Sequence, residues 1–273
     1  YQDHPYALSG LGTEATVASL SREILQHYHQ TYYRPDNMVV SLAGRINSEE
    51  AVALVQQMFG DWQAPTTPLP TAFLPTVTPE PNQVIKAQET QQSIVMLGYL
   101  AAPAKSDDYP TLKLLSTYLG NGLSSRLFTE LREKRGLAYE VSAFYPTRLA
   151  TSQFVAYMGT APHNTAIALE GLQHELERLC AVPLTANELQ ATQNKMLGQY
   201  ALGKQTNAQL AQIAGWYETI GVGIDFDQHF QAAIADVSLE QAQAVANRYF
   251  QSPYISLLGP AAMVDQWVVP KAS

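Results

Sequence analysis

The histidines are the side chains best suited to hold a catalytic metal, and their spacing decides whether they can do so. A helical zinc site commonly places two histidines four residues apart, with a glutamate beside one of them, so that both imidazoles share one face. His27 and His29 are two residues apart and lie on different faces of a helix, and His174-Glu175 is followed by Arg178 instead of a second histidine. We therefore predict no metal ligand in this chain. The six histidines are His4, His27, His29, His163, His174 and His229.

Ser124 and Ser125 are candidate nucleophiles because they follow a glycine-rich turn at 120–122. A serine hydrolase of the common type carries its nucleophile within G-x-S-x-G, which this turn lacks, and a serine here more simply caps the N-terminus of a helix. The glycines do not form G-x-G-x-x-G directly after a strand either. Neither a serine nucleophile nor a dinucleotide site is therefore predicted.

Composition narrows the possible functions further. The 273 residues include 16 basic and 24 acidic side chains, a net charge of −8, which offers no basic footprint for nucleic acid or an anionic membrane surface. No apolar run approaches the roughly 20 residues that span a bilayer, so we expect a soluble protein without a membrane span. Cys180 is the single cysteine and excludes an internal disulfide. Because the sequence begins at Tyr1 with neither a methionine nor a signal-peptide pattern, we expect a processed or excised piece.

The elements that must position any site fall on two sides of a proline-rich segment. Before it, Ser21 should cap a helix through residue 33, an apolar strand should follow at 38–43, and Asn47 should open a helix that Gly60 ends. The segment 63–83 has no helical or strand period and is predicted to be a linker. Its prolines are Pro65, Pro68, Pro70, Pro75, Pro79 and Pro81.

Beyond the linker, alternating and apolar runs predict strands separated by amphipathic helices. The predicted strands are 84–89, 93–100, 138–146, 152–160 and 254–258. Helices are predicted around Leu115, from Ser124 to Gly136, around Leu172, from Thr185, around Ile213 and from Ser238. This order predicts an α+β fold with a largely antiparallel sheet and helices on one of its faces.

An internal repeat is the most informative feature of this order. An aromatic pair, a proline, an apolar strand and a glycine run from Tyr32-Tyr33 to Gly44, and they recur from Tyr249-Phe250 to Gly259. Both copies follow an amphipathic helix, which implies two homologous domains. The first copy is preceded by much less chain than the second, so we expect roughly 135 residues of the first domain to lie upstream.

Several motifs carry a resemblance to a known family. They are His4-Pro5-Tyr6, Leu11-Gly12-Thr13-Glu14, Tyr32-Tyr33-Arg34-Pro35-Asp36-Asn37-Met38, Gly122-Leu123-Ser124-Ser125-Arg126-Leu127 and Leu131-Arg132-Glu133-Lys134-Arg135-Gly136-Leu137-Ala138-Tyr139. In these motifs the chain resembles the M16 zinc metallopeptidases, the family of pitrilysin and the mitochondrial processing peptidase. The first three look like the later part of the first M16 domain, and the last two look like the second domain. The resemblance covers nearly the whole chain.

The resemblance implies a duplicated LuxS/MPP-like metallohydrolase fold of the α+β class. Residues 1–62 would form the C-terminal part of the first repeat, 63–83 the linker, and 84–273 a second, inactive repeat that lines a substrate chamber. Family members bind zinc in the first domain, through His-x-x-Glu-His and a later glutamate that precede the His-Pro element. None of these ligands maps onto this sequence. No cofactor is therefore expected in this chain, and zinc is expected in the intact parent or its catalytic partner.

The resemblance also assigns a role to Arg132 and Tyr139. In the family, an arginine and a tyrosine seven residues apart reach from the second domain toward the zinc site of the first. Here Arg132 falls in the last turn of a predicted helix, Gly136 reverses the chain, and Tyr139 opens the next strand, so both side chains can emerge at one rim. A phenol and a guanidinium there would bind peptide and stabilise the oxyanion formed when zinc-bound water attacks a carbonyl.

Two functions follow from the resemblance and stay open at this point. The chain is either the non-zinc-binding portion of a zinc metalloendopeptidase, inactive when alone, or part of a non-catalytic partner or scaffold subunit. The expected partners are a peptide substrate and an M16 catalytic domain or subunit, in a homodimer or heterodimer, with no nucleic acid. Bacterial periplasm and cytoplasm are both compatible with the sequence.

Overall fold

The structure is a computed structural model that describes residue 1, residues 3–71 and residues 73–267. These residues form two compact units. The first unit comprises Tyr1–Val77 and Ala201–Asp227, and the second comprises Thr78–Tyr200 and the described residues from Gln228 onward. The units reflect spatial proximity and not homology, so the division into two repeats at the 63–83 linker remains a prediction.

Helices and strands account for most of the described chain. The helices are α1 (Glu14–Ala18), α2 (Arg22–Tyr32), α3 (Ser48–Phe59), α4 (Tyr109–Gly120), α5 (Thr165–Ala181), α6 (Ala186–Leu202), α7 (Asn207–Thr219), α8 (Phe226–Asp236), α9 (Leu239–Tyr249) and α10 (Ala261–Val264). The strands are β1 (Gln83–Ala87), β2 (Ser93–Ala101), β3 (Glu140–Phe144), β4 (Ser152–Thr160) and β5 (Tyr254–Gly259). A π-helix covers Phe128–Glu133, and 3₁₀ turns lie at Pro5–Ala7, Pro35–Asn37, Pro162–Asn164 and Asp265–Trp267.

Capping side chains begin α2, α3 and α9 where the sequence predicted them, whereas the predicted serine cap at Ser124 or Ser125 is not formed. The Ser21 hydroxyl accepts a hydrogen bond from the backbone N–H of Ile24 at 3.3 Å, and the Asn47 side chain accepts one from Glu50 at 2.7 Å. The Ser238 hydroxyl does the same at the start of α9. Each cap satisfies a backbone donor that has no partner within the helix, which explains why these starts could be predicted from local sequence.

The predicted strand at 38–43 is wrong, because none of the described strands pairs with this segment. A strand needs the backbone groups of a neighbour, and apolar residues without one do not form a ladder. Val39, Val40 and Leu42 are exposed here. Within the same unit, α7 lies close to the segment, since a Cβ built on Gly215 would come within 3.2 Å of the Ser41 Cβ.

The second unit contains a five-stranded mixed sheet in the order β1-β5-β2-β4-β3. β1 and β5 are parallel, whereas the other neighbouring pairs are antiparallel. Along β2, residues 93, 95, 97, 99 and 101 are buried and the residues between them are half-buried. The mixed α+β fold with a mainly antiparallel sheet is therefore as predicted.

Helices α4, α5 and α9 pack against the buried face of this sheet. Leu112, Leu115 and Leu119 of α4 are fully buried, as is Phe154 of β4. The helical spacing of the leucines places them on one side of α4, which is why this stripe was visible in the sequence. Among the described residues, no helix has both the length and the apolar character needed to cross a membrane.

Candidate functional site

Arg132 lies on a π-helix, where the sequence had predicted an ordinary α-helix. The backbone N–H of Lys134 donates to the carbonyl of Thr129, five residues earlier, at 3.1 Å. The wider turn changes the direction in which residues near its end point, and such segments are frequent at functional sites. The Arg132 side chain is exposed, with its guanidinium 5.0 Å from the centre of the Phe128 ring.

A short connection links this π-helix to β3 and is held at both ends by buried leucines. Leu131 and Leu137 are buried, and the N–H of Leu137 donates to the carbonyl of Leu131 at 2.9 Å. Between them, Gly136 adopts φ +62°, a left-handed conformation that favours glycine. The sequence prediction that Gly136 ends the helix is therefore confirmed. The buried leucines thus anchor the chain next to two exposed residues. Arg132 directly follows Leu131, and Tyr139 lies two residues after Leu137.

Tyr139 lies immediately before β3. Its backbone N–H donates to the carbonyl of Gly159 at 2.9 Å, which ties it to β4. The Thr160 hydroxyl, also from β4, donates to the carbonyl of Leu137 at 2.6 Å. The Tyr139 side chain itself is 56% exposed, unlike Val141, which faces the core. The backbone of Tyr139 is thus fixed while its ring and hydroxyl remain accessible.

The polar groups of Arg132 and Tyr139 are available to an external ligand. Neither side chain has a hydrogen bond or an ion pair with another described residue. By contrast, the nearby Tyr157 hydroxyl donates to Glu140 at 2.6 Å. An unengaged guanidinium offers five N–H donors in a planar fork, and a phenol offers one O–H. Both can therefore donate to a peptide carbonyl or to the negative charge that develops on it.

The described residues do not form a metal centre. No group of three or more histidine, cysteine, aspartate or glutamate side chains among them is arranged to hold a metal ion. His4 is buried, and its Nδ1 accepts a hydrogen bond from the backbone of Tyr6 at 3.0 Å. His29 stacks on Tyr33 with their ring centres 4.7 Å apart. These residues do not fit a zinc site.

The sequence did not predict a second polar cluster in the same unit. Arg126 donates to Glu175 of α5 at 2.7 Å and to the Tyr118 hydroxyl at 3.3 Å, and both partners in the ion pair are largely buried. Burial and the hydrogen bond to Glu188 raise the pKa of Tyr118 to about 12. Because Arg126 and Glu175 are far apart in the chain, no spacing rule signals their pairing. The only sequence signal near this cluster was the motif Ser124-Ser125-Arg126.

Curated relatives match nearly the whole chain but are longer than it. An uncharacterized zinc protease of Mycobacterium leprae is 28% identical over 273 residues, which cover 96% of this chain and 60% of the relative. The uncharacterized zinc protease YmxG of Bacillus subtilis is 28% identical, with 96% of this chain and 63% of the relative covered. The chain thus spans less than two thirds of the length of these relatives.

Solved structures share the fold at lower identity. A peptidase M16 inactive domain from Pseudomonas fluorescens superposes with a TM-score of 0.86 at 23% identity, covering 95% of this chain and 63% of that one. A protease from Helicobacter pylori gives a TM-score of 0.84 at 22% identity, with coverage of 92% and 61%. The family model described as the peptidase M16 inactive domain matches residues 19–196, more than half of the chain. The chain therefore belongs to the peptidase M16 inactive-domain family.

Proposed function

We propose that the chain is the non-zinc-binding portion of an M16-type zinc metalloendopeptidase, in which it lines the substrate chamber and binds peptide through Arg132 and Tyr139. The zinc and the nucleophile would be supplied by an M16 catalytic domain or subunit. The observation that carries this proposal is the pair of exposed side chains, without hydrogen-bonding partners among the described residues, in a domain of this family.

Support for the proposal comes from how firmly the backbone beneath these side chains is held. Leu131 and Leu137 are buried next to the site, and the hydrogen bonds to Gly159 and from Thr160 anchor the start of β3. A donor that is already in place loses less freedom when it binds a ligand, which favours stabilisation of a transition state. The accessible ring and guanidinium therefore suit recognition of an extended peptide.

The two side chains would have distinct parts in this function. The Tyr139 hydroxyl would donate a hydrogen bond to the carbonyl oxygen as it gains negative charge. The Arg132 guanidinium would hold the substrate through its planar fork, since a carbonyl or carboxylate can accept from two of its N–H groups. Neither step needs a metal ligand from this chain.

The test is peptide hydrolysis by the intact parent, or by this chain together with its catalytic domain. Tyr139→Phe should lower kcat by roughly 10²- to 10³-fold with an unchanged melting temperature, because it removes one donor at nearly constant shape. Arg132→Lys should lower kcat/KM because the fork is lost while the charge remains. The matched controls are Tyr157→Phe, whose hydroxyl is engaged with Glu140, and Arg135→Lys.

The outcome that contradicts the proposal is equally specific. If Tyr139→Phe leaves kcat intact and instead lowers the melting temperature, the hydroxyl has a structural role. If the intact parent lacks a His-x-x-Glu-His motif and hydrolyses no peptide with any M16 partner, the chain belongs to a non-catalytic scaffold subunit. If the two control variants also lose activity, the effect is not confined to the proposed pair.

A further inference from the structure

The second unit contains a polar cavity whose lining includes neither Arg132 nor Tyr139. Its volume is ≈ 270 Å³, slightly below the range of about 300–1,000 Å³ typical of sites for drug-sized ligands. Among the described residues that line it, Ala191 alone has a wholly apolar side chain. The size and lining therefore suit a small polar ligand and not an apolar one.

Two buried hydrogen-bonding groups in the cavity lining have no partner. The Nη2 atom of Arg126 and the hydroxyl oxygen of Ser125 are both inaccessible and unpaired among the described residues. The Arg126 side chain is 9% exposed and Ser125 is 2% exposed. Leaving such a group unsatisfied costs about 1–3 kcal/mol, and more when it is charged, so both groups favour an acceptor that comes within reach of them.

Lys195 adds a third donor at the same place. Its ammonium donates to the carbonyl of Asn121 and to the hydroxyl of Ser124, the latter at 3.2 Å. An ammonium has three N–H donors, so one remains for a ligand. Gly122 allows this approach, since it adopts φ +73° and a Cβ built on it would lie 3.4 Å from the Lys195 Nζ.

The acidic groups of the lining are already engaged by the protein. Glu188 accepts from the Tyr118 hydroxyl at 2.7 Å and from Thr185 with its other oxygen. Glu130 accepts from Lys134 at 2.8 Å. Both carboxylates of the lining are therefore already bound to donors of the protein. The charged lining residues are Arg126, Arg178, Lys195, Glu130 and Glu188.

We propose that this cavity binds a compact oxyanion, a phosphate or carboxylate group, through Arg126, Ser125 and Lys195. The anion would accept from the free Nη2 of Arg126 and from the serine hydroxyl, and its charge would face the lysine ammonium. This site would also explain the Ser-Ser-Arg part of the motif at 122–127, which the peptide-binding proposal leaves without a role. The proposal does not depend on the function of Arg132 and Tyr139.

The test uses the full chain and two probes, inorganic phosphate and acetate, each compared with chloride at equal ionic strength. Binding is measured by calorimetric titration and by the shift in melting temperature. We expect saturable binding of at least one probe that Ser125→Ala and Lys195→Met each weaken by about 10-fold or more, since a hydrogen bond to a charged group is lost. Lys105→Met removes an exposed lysine outside the cavity and should leave the affinity unchanged.

The two probes distinguish the two sources of the oxyanion. Saturable binding of phosphate alone supports a phosphate ligand, binding of acetate alone supports a carboxylate such as a peptide C-terminus, and binding of both supports the shared chemistry. No saturable binding, or the same stabilisation in all three variants, overturns the proposal. If Lys195→Met does not fold, Ser125→Ala still decides, because the Ser125 hydroxyl has no hydrogen-bonding partner among the described residues and its removal breaks no hydrogen bond within the protein.

Discussion

The close approach of α4 to β3 provides the sharpest test of the packing. Gly120 is the last residue of α4, and a Cβ built on it would lie 1.8 Å from the backbone nitrogen and 2.6 Å from the Cα of Ala143. The atoms it meets belong to the backbone of β3 and not to the end of a flexible side chain. Restoring an ordinary contact of about 3.5 Å would require helix and strand to separate by more than about 1 Å. Gly120→Ala should therefore destabilise the second unit.

The size of the effect follows from three contributions. Forcing a methyl group into packed structure costs about 1–3 kcal/mol. Separation would also weaken the 2.7 Å hydrogen bond from the Ser142 hydroxyl to the Gly120 carbonyl, worth about 1 kcal/mol. Replacing a helical glycine returns at most about 1 kcal/mol. The net loss of about 1–3 kcal/mol corresponds to a melting temperature lower by about 2–12 °C.

The assay is differential scanning calorimetry of matched variants. Gly198→Ala makes the same change within α6, where a Cβ meets nothing within 4 Å, and it should be stabilising by about 0.5–1 kcal/mol. Ser142→Ala removes the hydroxyl that donates to Gly120 without adding bulk, and it should cost less than Gly120→Ala. If Gly120→Ala melts at the same temperature as the parent chain or above it, the argument that this glycine permits the close approach is refuted.

Three further outcomes are expected. Burial lowers the pKa of Lys113 from 10.5 to about 8, so between these pH values the unfolded chain binds more protons than the folded one. The free energy of unfolding should therefore rise with pH in this range, by up to about 3 kcal/mol. Urea unfolding of Lys113→Met should lack this rise, and a pH profile identical to that of the parent chain would contradict the assignment. Arg34 donates to the carbonyls of Pro65 and Thr67, so Arg34→Met should speed proteolytic cleavage near 65–67 several-fold, whereas Arg45→Met should not. After dialysis the chain should retain far less than about one zinc per molecule by elemental analysis, and stoichiometric zinc would contradict the interpretation of the histidines.

Much of the fold could be predicted because its determinants are local. The cap residues Ser21, Asn47 and Ser238 bind backbone groups only three residues away, and the glycine at 136 needs only its own left-handed conformation. Strand alternation likewise depends on neighbours along the chain. Helix α8 was missed although Phe226, Phe230 and Ile234 recur every four residues, which is the spacing of one helix face.

Other features depend on pairs of residues that are far apart in the chain. Whether the apolar run at 38–43 forms a strand depends on a neighbouring strand to supply hydrogen bonds, which no local pattern specifies. The ion pair of Arg126 with Glu175 and the cavity beside it arise where α4, α5 and α6 come together. The sequence by itself determined the helix ends, the strand alternation and the absence of helical zinc spacing, since each depends on residues a few positions apart. The tertiary structure decided which donors remain unpaired and exposed, because only packing brings distant acceptors within reach or keeps them away.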